Sequence, residues 1–262
     1  MILIVICLLQ IIPFYLGLTT SMKGSRDTSS PWSLPLATFT LENFAIAWKQ
    51  GNIGRAILNS AVITVATTAI TVIVGALAAY PLARRRTRGN QAVLLLALAV
   101  MMIPPLSILV PLIRMLNDMS LLNTFPGLIL PLAALSLPQA IFLYAQSLRG
   151  IPIDIEEAAR IDGAGSLRVF FQIVLPVLKP VTISVVILTG VNKWNEFALS
   201  NYIMTTDATR PLAPAVATFF GSAGANVNAA IAGAIMGVLP VLVAYLFLQK
   251  YFMKGALAGA VK

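Results

Sequence analysis

The chain has 262 residues, of which 58% are hydrophobic and only 10% are charged, whereas a soluble domain is usually about 25% charged. This composition excludes a separate soluble domain and predicts a single transmembrane domain over residues 1–262. The formal charge of +9 does not indicate nucleic-acid binding, because the basic residues lie in short connections between apolar segments, which is the pattern of membrane topology.

Six apolar segments approach the roughly 20 residues that a helix needs to cross the hydrocarbon core. The predicted spans are Ile2–Leu18, Ala61–Ala83, Ala92–Ile113, Leu121–Leu148, Val181–Ser200 and Ala229–Phe252. The predicted fold class is therefore an all-α integral membrane protein with six transmembrane helices. The third and fourth segments contain Pro104, Pro105, Pro111, Pro126, Pro131 and Pro138. Kinked helices around a cavity would explain these prolines, and so would ordinary bundle packing.

Basic residues cluster in three regions that flank these spans. They are Arg84, Arg85, Arg86 and Arg88 in the second connection, Arg149, Arg160, Arg168 and Lys179 in the fourth, and Lys250, Lys254 and Lys262 near the end. By the positive-inside rule these regions and both termini are cytoplasmic. Lys23 and Arg26 disagree, because they follow the first span on its outer side. A cleaved signal peptide is the alternative, but without a basic lead or an A-x-A site a true first span is predicted.

The fourth connection, residues 149–180, is a polar insert between long apolar segments. Asp154 is a good N-cap, and Glu157 three residues later completes a capping-box pattern. Gly163 is a natural helix stop, and Ser166 can cap a second helix. The pattern predicts a helix–turn–helix elbow at the cytoplasmic surface.

Ala158 and Ala159 would give this elbow a flat face that a partner protein can approach closely. The alternative is an amphipathic helix that rests on lipid headgroups. Four nearby acids argue against contact with an anionic leaflet. They are Asp154, Glu156, Glu157 and Asp162. Protein docking is therefore the favoured interpretation.

The spacing of Glu157-Ala158-Ala159, Gly163 and Ile173-x-Leu175-Pro176 resembles the EAA loop of ABC importer permeases. In that family the short helix of the loop seats in a groove of the ATPase subunit and transmits its closure. The resemblance implies the same role for the Ile155–Gly163 helix. The ATPase-coupling residues that it implies are Glu156, Glu157, Ala158, Ala159, Asp162, Gly163, Ile173, Leu175 and Pro176.

Further motifs resemble the carbohydrate importers, in particular the maltose-type second permease subunit. They are Asn59-Ser60, Ala79-Tyr80, Asp162-Gly163-Ala164, Trp194-Asn195-Glu196 and the tail 255–262. The resemblance implies the type I ABC permease architecture in a bacterial plasma membrane, with a carbohydrate substrate. It also implies a homologous second permease, two ATPase subunits and an extracytoplasmic solute-binding protein as partners. ATP and Mg would be bound by the ATPase, which the 254–262 tail would approach.

A second candidate site lies near the end of the fifth span. Its residues are Asn192, Lys193, Trp194, Asn195 and Glu196. Lys193 would lie about 18 Å along a helix that starts after Pro180, and ionisable groups at that depth normally face a cavity. Lys193 and Glu196 could pair on one helix face, while Trp194 could stack on a sugar. The alternative is that this cluster marks the outer end of a short span, with Trp194 in the aromatic belt.

The outer connection Asn201–Asn228 suits either an ordered scoop that touches a binding protein or a plain solvated loop. Gly233-x-x-x-Gly237 in the last span predicts a small-residue packing face within the chain.

The residue types exclude several other functions. Histidine is absent and Cys7, in an apolar run, is the only cysteine, which excludes His or Cys metal sites, nucleophile–histidine pairs and an internal disulfide. No G-x-x-x-x-G-K-[ST] motif is present, so no ATP site, cofactor or metal is expected in this chain. The rival functions are a secondary transporter or channel without an ATPase and, less favoured, a membrane-embedded enzyme. Glycerol phosphate is the alternative cargo.

Overall fold

The structure is a computed structural model that describes residues 2–24, 27, 29–85, 87–221 and 226–260. Arg26, Arg86 and Lys262, which the topology argument uses, lie outside the described residues. Within the described part the chain is helical, and its only bridge of β type joins Lys23 to Phe39. The predicted all-α class is therefore confirmed.

Thirteen helices are found in the described ranges. They are α1 (Ile2–Ser21), α2 (Glu42–Gln50), α3 (Ile53–Arg84), α4 (Arg88–Val100), α5 (Leu109–Asp118), α6 (Phe125–Arg149), α7 (Asp154–Ile161), α8 (Ser166–Val169), α9 (Leu175–Val177), α10 (Lys179–Trp194), α11 (Ser200–Ile203), α12 (Leu212–Gly221) and α13 (Val227–Ala260). A 3-10 turn at Pro105–Ile108 precedes α5, and a π-helical segment at Phe170–Val174 joins α8 to α9.

Four of these helices, α1, α3, α6 and α13, contain a segment that is long and apolar enough to cross a membrane. Two bent pairs bring the number to six if each pair is one crossing. The first is α4 with Pro105–Asp118, bent by 94°, and the second is Ser166–Val177 with α10, bent by 73°. The described part of the chain therefore carries between four and six candidate spans.

The third predicted span, residues 92–113, is not one helix. Helix α4 ends at Val100, and Pro104 has extended dihedrals (φ −61°, ψ 129°) before the chain turns into the 3-10 segment. A residue that precedes a proline is pushed out of the helical region by the proline ring, and Pro105 has this effect on Pro104. The two consecutive prolines thus break the span.

The fifth predicted span, residues 181–200, also differs from the structure. Pro180 lies in the first turn of α10, where the missing N–H has no cost, and the helix ends at Trp194. Residues 195–199 form a turn before α11. The last residues of the predicted span are therefore outside its helix.

Helix α3 lies at the centre of the bundle and packs against α6 and α10. A Cβ added at Gly75 of α3 would lie 3.0 Å from the Cβ of Ala140 on α6, so the two helices approach closely where both side chains are small. Gly233 and Gly237 of α13 similarly face Ile53 and Leu212. The predicted small-residue face is thus confirmed as packing within the chain.

The loop after α1 explains why a lysine occurs on the supposed outer side of the first span. Lys23 is buried, and its Nζ donates to Ser29 Oγ at 2.9 Å, Ser30 O at 2.6 Å and Ser33 Oγ at 3.0 Å. The ammonium therefore finds its partners inside the loop. Its presence reflects local folding and not topology.

Candidate functional site

The elbow between α6 and α10 begins with α7, a two-turn helix. Gly163 has φ 84°, its N–H donates to Arg160 O at 3.0 Å, and the N–H of Ala164 donates to Ala159 O at 3.0 Å. This pair of bonds is the Schellman arrangement that closes a helix at a left-handed glycine. The predicted stop at Gly163 is confirmed.

The predicted cap at the start of α7 is wrong. The N-cap position is Ile153, and it makes no side-chain capping bond. Asp154 is instead the first helical residue, because Ile153 already has near-helical dihedrals (φ −71°, ψ −24°). Asp154, Glu156 and Glu157 all lie in the first turn, where their charges interact favourably with the helix dipole. The second predicted cap is wrong as well: α8 is preceded by Gly165, and Ser166 is its first residue.

Glu156 is the buried residue of α7, with a relative exposure of 1%. Its Oε1 lies 2.7 Å from Arg84 Nε and 2.6 Å from Arg84 Nη2. Its Oε2 accepts a hydrogen bond from Tyr80 Oη at 2.7 Å and lies 3.8 Å from Arg160 Nη2. The carboxylate is therefore held from two sides by residues of α3 and faces away from solvent.

Arg84 extends this arrangement to α6. Its Nη1 donates to Leu148 O at 2.8 Å and to Ile151 O at 3.0 Å. A guanidinium that loses water needs its donors satisfied by fixed acceptors, and here the acceptors come from the end of α6, the segment before α7 and α7 itself. We call Glu156, Arg84 and Tyr80 the buried node. It joins the ends of α3 and α6 to the elbow.

The ring of Tyr80 packs against the second half of the elbow. Its centroid lies 5.3 Å from that of Phe170, with an edge-to-face angle of 61°, a geometry that aromatic pairs favour. Phe170 and Val174, both in the π-helical segment, are buried against α3 and α6. Isolated π-helical turns often occur at functional sites. Both halves of the elbow are thus fixed to the same end of α3.

The opposite side of the elbow is exposed. Glu157, Ala158, Asp162 and Gly163 are all exposed, and Ile161 has a relative exposure of 86%. Large apolar side chains that project in this way from an ordered helix mark an interaction surface. We call these five residues the outer face of α7.

The remaining residues of the EAA-like pattern have other positions. Ala159 is partly buried and packs on the core beneath the elbow, so the predicted flat face consists of Ala158 without it. Leu175 is packed on the same core, Ile173 is partly buried, and Pro176 is exposed in the first turn of α9. These three residues lie in the second half of the elbow, outside α7.

A cleft of about 870 Å³ lies beside the C-terminal end of α10. Four of the five residues predicted there contribute to its lining, namely Asn192, Lys193, Asn195 and Glu196. Ser136 and Gln139 of α6 add a hydroxyl and an amide from the opposite wall. The cleft thus combines polar groups with apolar walls.

Trp194 does not line this cleft. It packs against the buried cluster of α2, α3, α12 and α13, beside Phe44 and Phe219. Its indole therefore contributes to the core of the described part, and sugar stacking by Trp194 is not compatible with this position. The helix turns Trp194 away from the cleft, while Lys193 faces it.

The predicted pair between Lys193 and Glu196 is wrong. None of the ion pairs found among the described residues joins these two side chains. Glu196 lies beyond the end of α10, and its carboxylate accepts hydrogen bonds from Leu199 N at 2.7 Å and Ser200 N at 2.9 Å. It thereby caps the backbone at the start of α11.

The motif Asn59-Ser60 also acquires a structural role. Asn59 Nδ2 donates to Ala208 O at 3.2 Å and Arg210 O at 3.0 Å, and Leu212 N donates to Ser60 Oγ at 2.8 Å. These bonds fasten the loop before α12, and α12 itself, to the start of α3. The described part of the 201–228 connection is ordered by them.

Two comparisons with known sequences bear on the chain. Residues 71–256 match the family model described as the binding-protein-dependent transport system inner membrane component. The melibiose/raffinose/stachyose import permease protein MelC of Bacillus subtilis is 43% identical over 252 residues, which cover 96% of this chain and 91% of that protein. The diacetylchitobiose uptake system permease protein NgcG of Streptomyces coelicolor is 36% identical over 243 residues, which cover 92% and 80%.

The fold is also similar to that of a solved structure. A chain in the crystal structure of a bacterial ABC transporter involved in the import of the acidic polysaccharide alginate gives a TM-score of 0.79. The alignment covers 96% of this chain and 94% of that chain at 21% sequence identity. At this identity the similarity concerns the fold.

Proposed function

The chain belongs to the family of binding-protein-dependent transport system inner membrane components, the permease subunits of ABC importers, and from that membership we propose that it imports an oligosaccharide. Relatives that align over nearly the whole chain are named as permeases for melibiose, raffinose and stachyose and for diacetylchitobiose, which supports the proposal. The cleft beside α10 has a volume within the range of about 300–1,000 Å³ that is usual for ligand pockets.

The proposed orientation places the elbow and both termini in the cytoplasm. Arg84, Arg85, Arg88 and Arg149 lie at the same end of the α3–α4–α6 bundle as the elbow, and we call it the basic end. The positive-inside rule assigns such an end to the cytoplasm. The loop that Asn59 and Ser60 fasten then faces outward, where a solute-binding protein would approach.

The elbow is the single feature on which the proposed mechanism depends. The outer face of α7 would seat on an ATPase subunit, because it combines exposed acidic, small and apolar side chains on a rigid helix. The buried node would then carry the movement of α7 to α3 and α6, since Arg84 bonds to Glu156 and to two carbonyls at the end of α6. A shift of α3 and α6 changes the walls of the cleft, which lies between α6 and α10.

The proposed assembly contains this permease, a homologous second permease, two ATPase subunits and an extracytoplasmic binding protein. ATP and Mg would bind to the ATPase subunits, and this chain would hold no cofactor of its own. Closure of the ATPase dimer would pull both permeases and alternate the access of the cleft. A rigid link is required for this, because a soft elbow would absorb the movement before it reached the spans.

Uptake of radiolabelled raffinose by cells that carry Glu157→Lys tests this function. The change reverses a charge on the outer face of α7 without touching the buried node. We expect uptake to be lost while the amount of protein in the membrane fraction stays at the wild-type level. Asp118→Lys, at the opposite end of α5, is the matched charge reversal and should retain uptake. Normal uptake by Glu157→Lys, or loss of the protein from the membrane, would contradict the proposed coupling.

A further inference from the structure

A groove of about 340 Å³ runs between α4 and α6, apart from the elbow and the cleft. On α4 it is lined by Gln91, Leu95 and Leu98, and on α6 by Phe142, Gln146 and Arg149. In each helix these residues are spaced by three, four or seven positions, so they share one face. Two facing helical stripes therefore form its walls.

The groove is polar at one end and apolar at the other. Helix α4 starts at the basic end and α6 finishes there, so the two helices run in opposite directions and Gln91 lies level with Gln146 and Arg149. Leu98 and Phe142 lie about 10 Å further into the bundle at 1.5 Å per residue. A ligand that fits must carry a polar or charged head and an apolar tail.

The polar groups at this end have no partners within the described chain. Among the hydrogen bonds and ion pairs of the described residues, none involves the side chains of Gln91, Gln146 or Arg149, whereas Arg84 nearby is fully occupied. Arg88 lies one turn before Gln91 on the same helix and adds a second positive charge. The head of the ligand should therefore be anionic.

The groove is also open to the side. Leu95 has a relative exposure of 66% on a helix that belongs to a candidate span, so its side chain faces the bilayer. Basic pockets between transmembrane helices on the cytoplasmic side are typical binding places for anionic lipid headgroups. Both the charge and the access thus indicate a membrane lipid.

We propose that the groove binds one anionic phospholipid of the cytoplasmic leaflet. Its phosphate contacts Arg149 and the amides of Gln91 and Gln146, and one acyl chain lies along Leu95 and Leu98. The choice of leaflet rests on the proposed orientation of the chain, whereas the groove and its charge do not. Bound in this way, the lipid joins α4 to α6 beside Leu148, whose carbonyl accepts from Arg84.

The test is photolabelling of the whole importer in nanodiscs that contain phosphatidylglycerol with a photoreactive acyl chain. We expect labelled peptides from α4 and α6, and weaker labelling by the matching phosphatidylcholine. Leu95→Trp fills the groove and should abolish the label, while Leu96→Trp on the neighbouring lipid-exposed face should not. Arg149→Gln should reduce labelling about fivefold, as expected for one basic residue near a membrane surface, and Arg168→Gln on the elbow should leave it unchanged.

Equal labelling by the two lipids would overturn the proposal, as would labelling that Leu95→Trp does not change. Cross-linking of the groove to another protein chain would also overturn it, because the groove would then be a subunit interface. The labelling is read without transport. Loss of raffinose uptake with intact labelling therefore concerns the proposed function, and loss of labelling with intact uptake concerns the lipid site.

Discussion

Replacement of Glu156 by glutamine tests whether the buried node holds the elbow. The substitution keeps the size of the side chain but removes the negative charge that two nitrogen atoms of Arg84 approach at 2.6 and 2.7 Å. Arg84 is then left as a cation with a relative side-chain exposure of 12%. Its remaining acceptors are the carbonyls of Leu148 and Ile151.

Removal of one partner from a buried ion pair usually costs about 3–5 kcal/mol. The lower end applies here, because two carbonyls still accept from Arg84 and the glutamine oxygen can still accept from Tyr80. A loss of about 3 kcal/mol corresponds to an increase on the order of 100-fold in the fraction of molecules with a displaced elbow. Most of this effect should be local, since α3 and α6 keep their own packing.

Hydrogen exchange of the purified importer measures this fraction directly. The amides of residues 154–163 should exchange on the order of 100-fold faster in Glu156→Gln than in the wild type. Glu157→Gln is the matched control, because it makes the same chemical change at the neighbouring exposed residue. A double-mutant cycle with Arg84→Gln should give a coupling energy of about 2–3 kcal/mol. Equal exchange in the two glutamine variants, or additive effects in the cycle, would refute the role of the node.

Three further changes test neighbouring contacts by thermal melting or proteolysis of the purified complex. Tyr80→Phe removes the hydroxyl that donates to Glu156 and should lower the free energy of unfolding by about 1 kcal/mol. Gly163→Ala puts a side chain on a residue with φ 84° and should cost about 1–2 kcal/mol, while Gly165→Ala, at φ −69°, should melt like the wild type. Asn59→Ala removes two bonds to the loop before α12, and this loop should become cleavable by added protease.

Each of these changes has an outcome that contradicts its reasoning. A wild-type melting temperature for Tyr80→Phe would mean that its hydroxyl contributes nothing to the node. Similar melting of the two glycine variants would show that backbone conformation is not what selects Gly163. An uncleaved loop in Asn59→Ala would assign its order to other contacts, such as the one between Ser60 and Leu212.

Features that depend on neighbouring residues could be predicted from the sequence. The apolar segments located the spans because crossing length is dictated by the bilayer. Gly163 ended its helix as expected, since a left-handed residue is a local requirement that glycine meets best. The break at Pro104 and Pro105 was equally local, but the apolar run through Ile113 concealed it.

Contacts between distant residues could not be predicted in this way. Arg84 and Glu156 are 72 positions apart, and the charge of Arg84 was fully explained by topology before its partner was known. The positions of Trp194 and Glu196 were missed for a related reason. The end of α10 is stabilised by hydrogen bonds from Leu199 and Ser200 to Glu196, and hydropathy carries no signal for such a cap.

Cross-linking from Ile161 tests most directly whether the elbow docks on the ATPase. Ile161→Cys on the assembled importer presents a thiol at the most exposed apolar position of α7, and Val110→Cys on α5 presents one at the other end of the bundle. We predict that a short bifunctional reagent joins position 161, and not position 110, to the ATPase subunit, and that ATP alters the yield. Cross-linking of Ile161→Cys only to lipid or to this chain would contradict the account.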